Sequence, residues 1–145
     1  MDIIPVSLAI AQAAVESGWG TSRFALEGNA LYGQWTWSDN GLKPLENDSG
    51  DHKVMRFKIL TASIKAYKKN LNTHSGYKKF REARANLRNK KEKVTGLKLT
   101  QYLDKYAATG QKYTKKLELT IKQNSLSDFE NAKLLSTGLR KGIKL

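Results

Sequence analysis

The chain has 145 residues, 39% of them hydrophobic and 9% aromatic, enough for one domain with its own core and hardly for two. It carries 26 Lys and Arg against 13 Asp and Glu, a formal charge of +13. Such an excess points to a polyanionic partner (nucleic acid, an anionic membrane surface or a cell-wall polymer) or to a solvated basic surface. There is no cysteine, which excludes disulfides and thiolate catalysis, and His52 and His74 stand too far apart in sequence to suggest a histidine-built metal site. No apolar run approaches the roughly 18 residues of a membrane span, and no signal peptide opens the chain. Met1-Asp2 leads so soon into a helix that a trimmed start, with a targeting segment upstream, is expected.

In chain order, Pro5 suits the first turn of a helix. Leu8, Ala11, Val15 and Trp19 form one apolar stripe along it, and Ala9, Gln12, Ala13 and Glu16 lie beside them. Gly18 is a stop. Thr21 or Ser22 caps a second helix that runs to about Glu27 and ends at Gly28-Asn29. Residues 31–37 and 53–59 each alternate in character, which predicts two strands and a small hairpin-like lobe. Asn40-Gly41, Pro44 and Ser49-Gly50 mark the polar loop at its tip.

A helical remainder follows. Ile64, Tyr67 and Leu71 mark a helix opening at Thr61, with Leu60 and Ile64 read as a hydrophobic staple. Tyr77, Phe80, Arg84 and Leu87 mark the next, before a charged turn at 88–93. Leu99, Tyr102, Leu103 and Tyr106 predict a further helix, broken at Gly110. Tyr113, Leu117, Thr120 and Ile121 mark the last. Leu126 and Phe129 are expected to dock, which gives a single domain over residues 1–129 and a C-terminal tail over 130–145. No internal repeat is present.

Glu16 is the lone acid at the end of the first helix, against Trp19. The helix dipole is negative at its C-terminus, so a carboxylate there is disfavoured and holds its proton more tightly. Desolvation by Trp19 and the alanine face acts in the same direction. A carboxyl in an apolar pocket against a tryptophan donates its proton to a leaving oxygen in lysozyme. From position alone, a solvated helix-end glutamate is the alternative.

The run "AIAQAAVESGWGTSRFALEGNALYGQW", residues 9–35, resembles the signature of the bacterial peptidoglycan glucosaminidases, glycoside hydrolase family seventy-three. "ALYGQWTW" and, downstream, "KAYKKNLNTHSGYKKFR" resemble its Bax-like branch, and the likeness extends to about Phe129. The resemblance implies a mainly α (α+β), lysozyme-like helical domain with a small β-hairpin lobe. It also implies cleavage of the glycan after N-acetylglucosamine, with no cofactor and no metal. The glutamate of its "ESGWG" motif, here Glu16, is the implied general acid.

The resemblance further implies a second acid in the β lobe. Of Asp39, Glu46, Asp48 and Asp51, we select Glu46 and Asp48 because they fall between the two strands; the alternative is that these acids only solvate the loop. Carboxyls about 5 Å apart suggest a nucleophile, about 6.5 to 9.5 Å a base acting through water, and a third route uses the substrate's own acetamido group. The family often carries "YATDP.Y", whose first tyrosine lines the active site. Here "YAATGQKY", Tyr106 to Tyr113, keeps Tyr-Ala, lacks Asp-Pro and is one residue longer. Tyr106 is therefore expected either to orient an acetamido group or to be a core tyrosine. Trp35, Trp37 and Tyr32, with Trp19, read as aromatics that stack on sugar faces, one tryptophan holding the lobe to the helices. Gln34 and Asn29 hydrogen-bond sugar amides or hold the turn. Ser17 partners Glu16 or caps the helix, and His74 and Asn72 read as caps. Arg23 and Arg56 meet muropeptide carboxylates or form surface pairs.

The first reading is an endo-acting N-acetylglucosaminidase that acts on the peptidoglycan glycan strand. A monomer in the cell envelope or outside the cell is expected, without nucleic acid and without stable membrane insertion. A lytic transglycosylase using Glu16 alone is the close alternative, although its Gly-Leu-Met-Gln continuation is absent. A non-catalytic wall- or polyanion-binding module is another, supported by charge but by no recognised nucleic-acid motif among the basic residues spread through 53–144.

Overall fold

The computed structural model describes residues 1–36, 39–43 and 53–133. Pro5 precedes α1 (Val6–Ser17), and Gly18 closes it in the left-handed region, φ 56°, where a side chain would be strained. α2 (Arg23–Gly28) opens on Ser22, whose hydroxyl accepts the Ala25 N–H, and ends on Asn29, also left-handed.

β1 (Trp35–Thr36) and β2 (Lys53–Val54) pair antiparallel, with Trp35 opposite Val54, and Leu42 adds a single bridge to Val54. Both strands are far shorter than the alternating patterns suggest. Tyr32 is drawn into the helical core, and Gly33 at φ 57° turns the backbone before a ladder can start. Beyond β2 the chain turns to the end of α2, the Phe57 N–H donating to Gly28 O at 2.8 Å. Trp37, Glu46, Asp48, Asp51, His52, Pro44 and Ser49-Gly50 lie outside the described residues, as do 134–145.

α3 (Leu60–Thr73) buries Ser63, Tyr67 and Leu71, a stripe of spacing four. Leu60 and Ile64 lie on its exposed side, so the expected staple does not form. A 3₁₀ turn, Ser75–Tyr77, leads into α4 (Lys78–Asn89), which buries Phe80, Ala83 and Arg84. The single helix expected around Leu99–Tyr106 is two short pieces instead: α5 (Gly96–Leu99) and a 3₁₀ turn, Thr100–Leu103. Tyr106 follows in a turn, its N–H donating to Leu103 O. α6 (Gln111–Gln123) buries Tyr113, Leu117 and Ile121. In the last turn Leu126 docks, but Phe129 stays exposed. Glu130 is fixed by Ser7 Oγ and by the Gly96 N–H.

α1 runs through the middle of this assembly, packed by α5, α6 and the last turn. Leu8, Leu71, Phe80, Leu99, Leu103, Leu117 and Ile121 are fully buried around it. Truncating such a leucine to alanine costs about 2–5 kcal/mol. Among the described residues no helix is long and apolar enough to cross a membrane.

The start of α1 is held by a charged clasp. Arg84, buried on α4, donates to Ile3 O at 2.6 Å and to Asn72 Oδ1 at 2.7 Å. Its Nε lies 2.9 Å from Asp2 Oδ2, an ion pair outside hydrogen-bond geometry. Arg88 completes a two-pronged contact to Asp2. The Arg88 hydrogen bond, the largest cause, holds the Asp2 carboxyl down from 3.8 to about 2. A depressed carboxyl stabilises the fold above its unfolded value and loses that contribution as pH falls through the folded one. Asp2→Asn should therefore cost about 1 kcal/mol near neutral pH, allowing for solvent screening. Thermal melts of variant and parent should converge between about pH 4 and pH 2; a gap that stays constant with pH would reject the clasp as its source.

Candidate active site

Glu16 stands in the last turn of α1, and the local backbone explains its setting. Ser17 Oγ donates to Ala13 O and accepts the Gly20 N–H at 2.8 Å. The Ser22 N–H donates to Ser17 O at 3.0 Å. Ser17 is thus a cap that winds the Ser-Gly-Trp-Gly segment around the helix end. This turn throws Trp19 outward, at φ 58° and 60% exposed. Trp19 does not continue the apolar stripe.

A wall of tyrosines gathered from five parts of the chain stands beside the acid, Tyr77, Tyr106 and Tyr113 within reach of its charge. Tyr32 stacks on Tyr67 of α3, centroids 3.9 Å apart. Tyr106 stacks on Tyr113 of α6 at 5.6 Å, and Tyr77 tilts against Tyr106 at 5.9 Å. Burial raises the Glu16 carboxyl above its ordinary range; a hydrogen bond from Tyr113 and the charge of Lys116 oppose the rise. Burial first pushes the Tyr113 and Tyr106 hydroxyls upward, followed by the Glu16 charge at Tyr113 and by Tyr67, Tyr113 and then Glu16 at Tyr106, so both stay protonated. Gly33 closes the remaining side: a Cβ there would sit 3.0 Å from Glu16 Oε2.

A directed hydrogen-bond chain ends on the acid. Gln12, fully buried one turn before Glu16, accepts from the Tyr67 hydroxyl at 2.7 Å and donates from Nε2 to the Tyr113 hydroxyl at 2.9 Å. Tyr113 has one proton, and a carboxylate can only accept. With Gln12 filling its acceptor side, Tyr113 gives that proton to Glu16. Every donor in the chain Tyr67, Gln12, Tyr113, Glu16 points toward the carboxyl.

Two clefts flank Glu16. One, of about 410 Å³, is lined by Tyr32, Gly33, Gln34, Trp35, Asn70, His74, Tyr77 and Tyr106. The other, of about 380 Å³, is lined by Glu16, Val15, Ala107, Thr109, Lys112, Tyr113 and Lys116. The Tyr106 hydroxyl donates to Tyr32 O at 2.8 Å, which leaves its lone pairs available. Gln34 Oε1 is buried and, among the described residues, has no hydrogen-bond partner. Trp35 is 57% exposed at the rim.

Other expected residues serve the scaffold. The Tyr32 ring is committed to its stack in the core rather than offered to a sugar face. Asn29 donates to Phe57 O at 3.0 Å, holds the turn after α2, and lines a separate cleft with Arg56. Arg23 pairs with Glu27. His74 Nδ1 accepts the Gly76 N–H, and Asn72 bridges Lys68 O, Asp2 O and Arg84, so both are structural. Glu46, Asp48 and Trp37 lie outside the described residues. Sequence reasoning missed Gln12, Tyr67, Tyr77 and Tyr113 as the setting of Glu16. The available signal was Gln12 four residues before the acid on the same stripe, a polar residue on a face that must be buried.

Residues 1–126 match the family model "Glucosaminidase", described as mannosyl-glycoprotein endo-beta-N-acetylglucosaminidase. The chain is 36% identical over 125 residues to the protein bax of Escherichia coli (strain K12), an alignment covering 86% of this chain and 44% of that protein. The chain therefore spans less than half the length of this relative. Its fold is similar to that of the catalytic domain of the autolysin Auto from Listeria monocytogenes, with a TM-score of 0.57 at 22% identity over 85% of this chain and 73% of that one.

A carboxyl raised by burial destabilises the fold once it ionises. The penalty is absent at low pH and grows as pH rises above the unfolded value, here 4.5. Glu16→Gln should raise the melting temperature at pH 7 by roughly 2–4 °C, equivalent to about 1 kcal/mol. The gain should shrink below about pH 4.5, as scanning calorimetry across pH would show.

Proposed function

The chain belongs to the glucosaminidase family of glycoside hydrolases, and from that premise we propose that it hydrolyses the glycan strand of peptidoglycan after N-acetylglucosamine, with Glu16 as general acid. The observation that carries this reading is a desolvated carboxyl that lines one cleft, lies against Gly33 of a second, and is held by a directed hydrogen-bond chain. Burial keeps the acid protonated at higher pH than a surface glutamate. Tyr113 occupies one carboxyl oxygen, and the other carries the proton to the glycosidic oxygen.

In this reading the neutral cleft takes N-acetylglucosamine. Tyr106, its own proton given to Tyr32 O, accepts the acetamido N–H and orients that group. Gln34 Oε1 offers a second acceptor, and Trp35 at the rim stacks on a sugar face, with Trp19 and Trp37 as further contacts. The second carboxylate, base or nucleophile, is assigned to Glu46 or Asp48 on the family resemblance. An acetamido group held by Tyr106 also suits the substrate-assisted course, in which no protein nucleophile is needed. The site of action is the cell envelope or beyond, and the chain works as a monomer.

Digestion of purified peptidoglycan, with products separated and weighed by mass spectrometry, tests the reading: reducing ends at N-acetylglucosamine are expected. Anhydro-muramyl ends would instead identify a transglycosylase. Glu16→Gln should lower kcat by about 10²- to 10⁴-fold while wall binding survives. Hydrolysis by this variant at the parent rate would remove Glu16 from its role. Tyr113→Phe deletes a hydrogen bond that lowers the Glu16 pKa. The acid then stays protonated further up the scale, so the alkaline limb of the pH–rate profile should move to higher pH.

A further inference from the structure

The two clefts beside Glu16 differ in charge. Among the described residues, the tyrosine-rich cleft is lined by no lysine, arginine or carboxylate. The opposite cleft carries Lys112 and Lys116. These lysines are one turn apart on α6, on the face that bears Tyr113 and looks toward Glu16. Lys115 and Lys122 are both paired with Glu118. Neither Lys112 nor Lys116 forms an ion pair with a described residue, although Lys116 acts on the charge of Glu16 from within the cleft. Thr109 adds a hydroxyl to the same wall. Two cations converging in a concave site beside the reacting bond favour an anionic group there and raise its encounter rate.

Resting on the glucosaminidase reading, we propose that Lys112 and Lys116 form an anion subsite for the carboxylate borne by the sugar on the leaving-group side of the scissile bond. In peptidoglycan, N-acetylglucosamine alternates with a sugar whose lactyl ether is amide-linked to a stem peptide that carries carboxylates; removing the peptide frees the lactyl carboxylate. With the neutral sugar in the tyrosine cleft and the charged one against the lysines, the bond beneath Glu16 is the one that follows N-acetylglucosamine. A strand shifted by one sugar would place its carboxylate in the cleft that no described lysine or arginine lines and its neutral sugar against Lys112 and Lys116. The charge asymmetry thus sets the register of the strand and with it the bond that is cut.

The test compares kcat/KM on three substrates: intact peptidoglycan glycan, the same glycan stripped of stem peptides, and that stripped glycan with its carboxyls reduced to alcohols. The parent protein should prefer the acidic glycans over the reduced one by about fivefold at low salt, a preference that fades near 0.5 M salt. Lys112→Glu should bring the ratio to about one or below, and Lys112→Gln should fall between. A preference that persists on stripped glycan assigns the contact to the lactyl carboxylate; one that needs the peptides assigns it to theirs, and both support the subsite. A ratio that is the same in parent and variants overturns it. A parent protein that cleaves none of the three overturns the hydrolase reading itself, an outcome distinct from loss of selectivity alone.

Discussion

A primary amide cannot sit in an apolar core with either end unpartnered, because each lost hydrogen bond there costs about 1–3 kcal/mol. Gln12 is such an amide. Its oxygen requires the Tyr67 hydroxyl of α3 and its nitrogen the Tyr113 hydroxyl of α6, so one side chain sets how three helices stand to one another. Glu16 follows one turn later on α1 and inherits that geometry. The acid is held because the amide beneath it allows little else.

The helix that carries the acid is also secured at both ends. The Asp2–Arg84–Arg88 clasp fixes the segment before α1 to α4, and Glu130 takes up Ser7 in its first turn. At the far end Ser17 and Gly18 fold the chain back within four residues. That sharp return leaves Trp19 in solvent and brings the Tyr32–Gly33 segment across Glu16. Glycine suits position 33 because a side chain there would be strained by the positive φ and would press on the carboxyl oxygen 3.0 Å away.

The wall around the acid is polar and uncharged. Tyrosine rings exclude water, which raises the carboxyl, while their hydroxyls hydrogen-bond to Gln12 and to backbone, which keeps the setting ordered. Among the described residues, the lysines that line the two clefts are Lys112 and Lys116, both in the cleft that Glu16 itself lines.

Much of this was legible in the residues. The helix boundaries at Gly18 and Asn29, the Ser22 cap, and the stripes of α3, α4 and α6 follow from local periodicity and capping chemistry. Glu16 was legible as a singular acid at a helix end, and the "ESGWG" run marked the family. Tertiary packing decided where locally equivalent patterns ended. The alternation at 31–37 suits a long strand, yet burying Tyr32 against Tyr67 outweighs extending a two-residue ladder. The Leu99–Tyr106 stripe suits one helix, yet the chain breaks into α5 and a 3₁₀ turn and delivers Tyr106 to the cleft. The desolvation of Glu16, expected from Trp19 and the alanine face, is seen in direction, and tyrosines far along the chain gather beside the acid while Trp19 stands largely in solvent. Periodicity reports which face of a segment is apolar; it carries no record of which distant side chains that face will meet. The sequence therefore determined the elements, the lone acid and the family, and only the tertiary structure decided the acid's neighbours, because hydrogen-bond partners tens of residues apart are chosen by packing and not by local pattern.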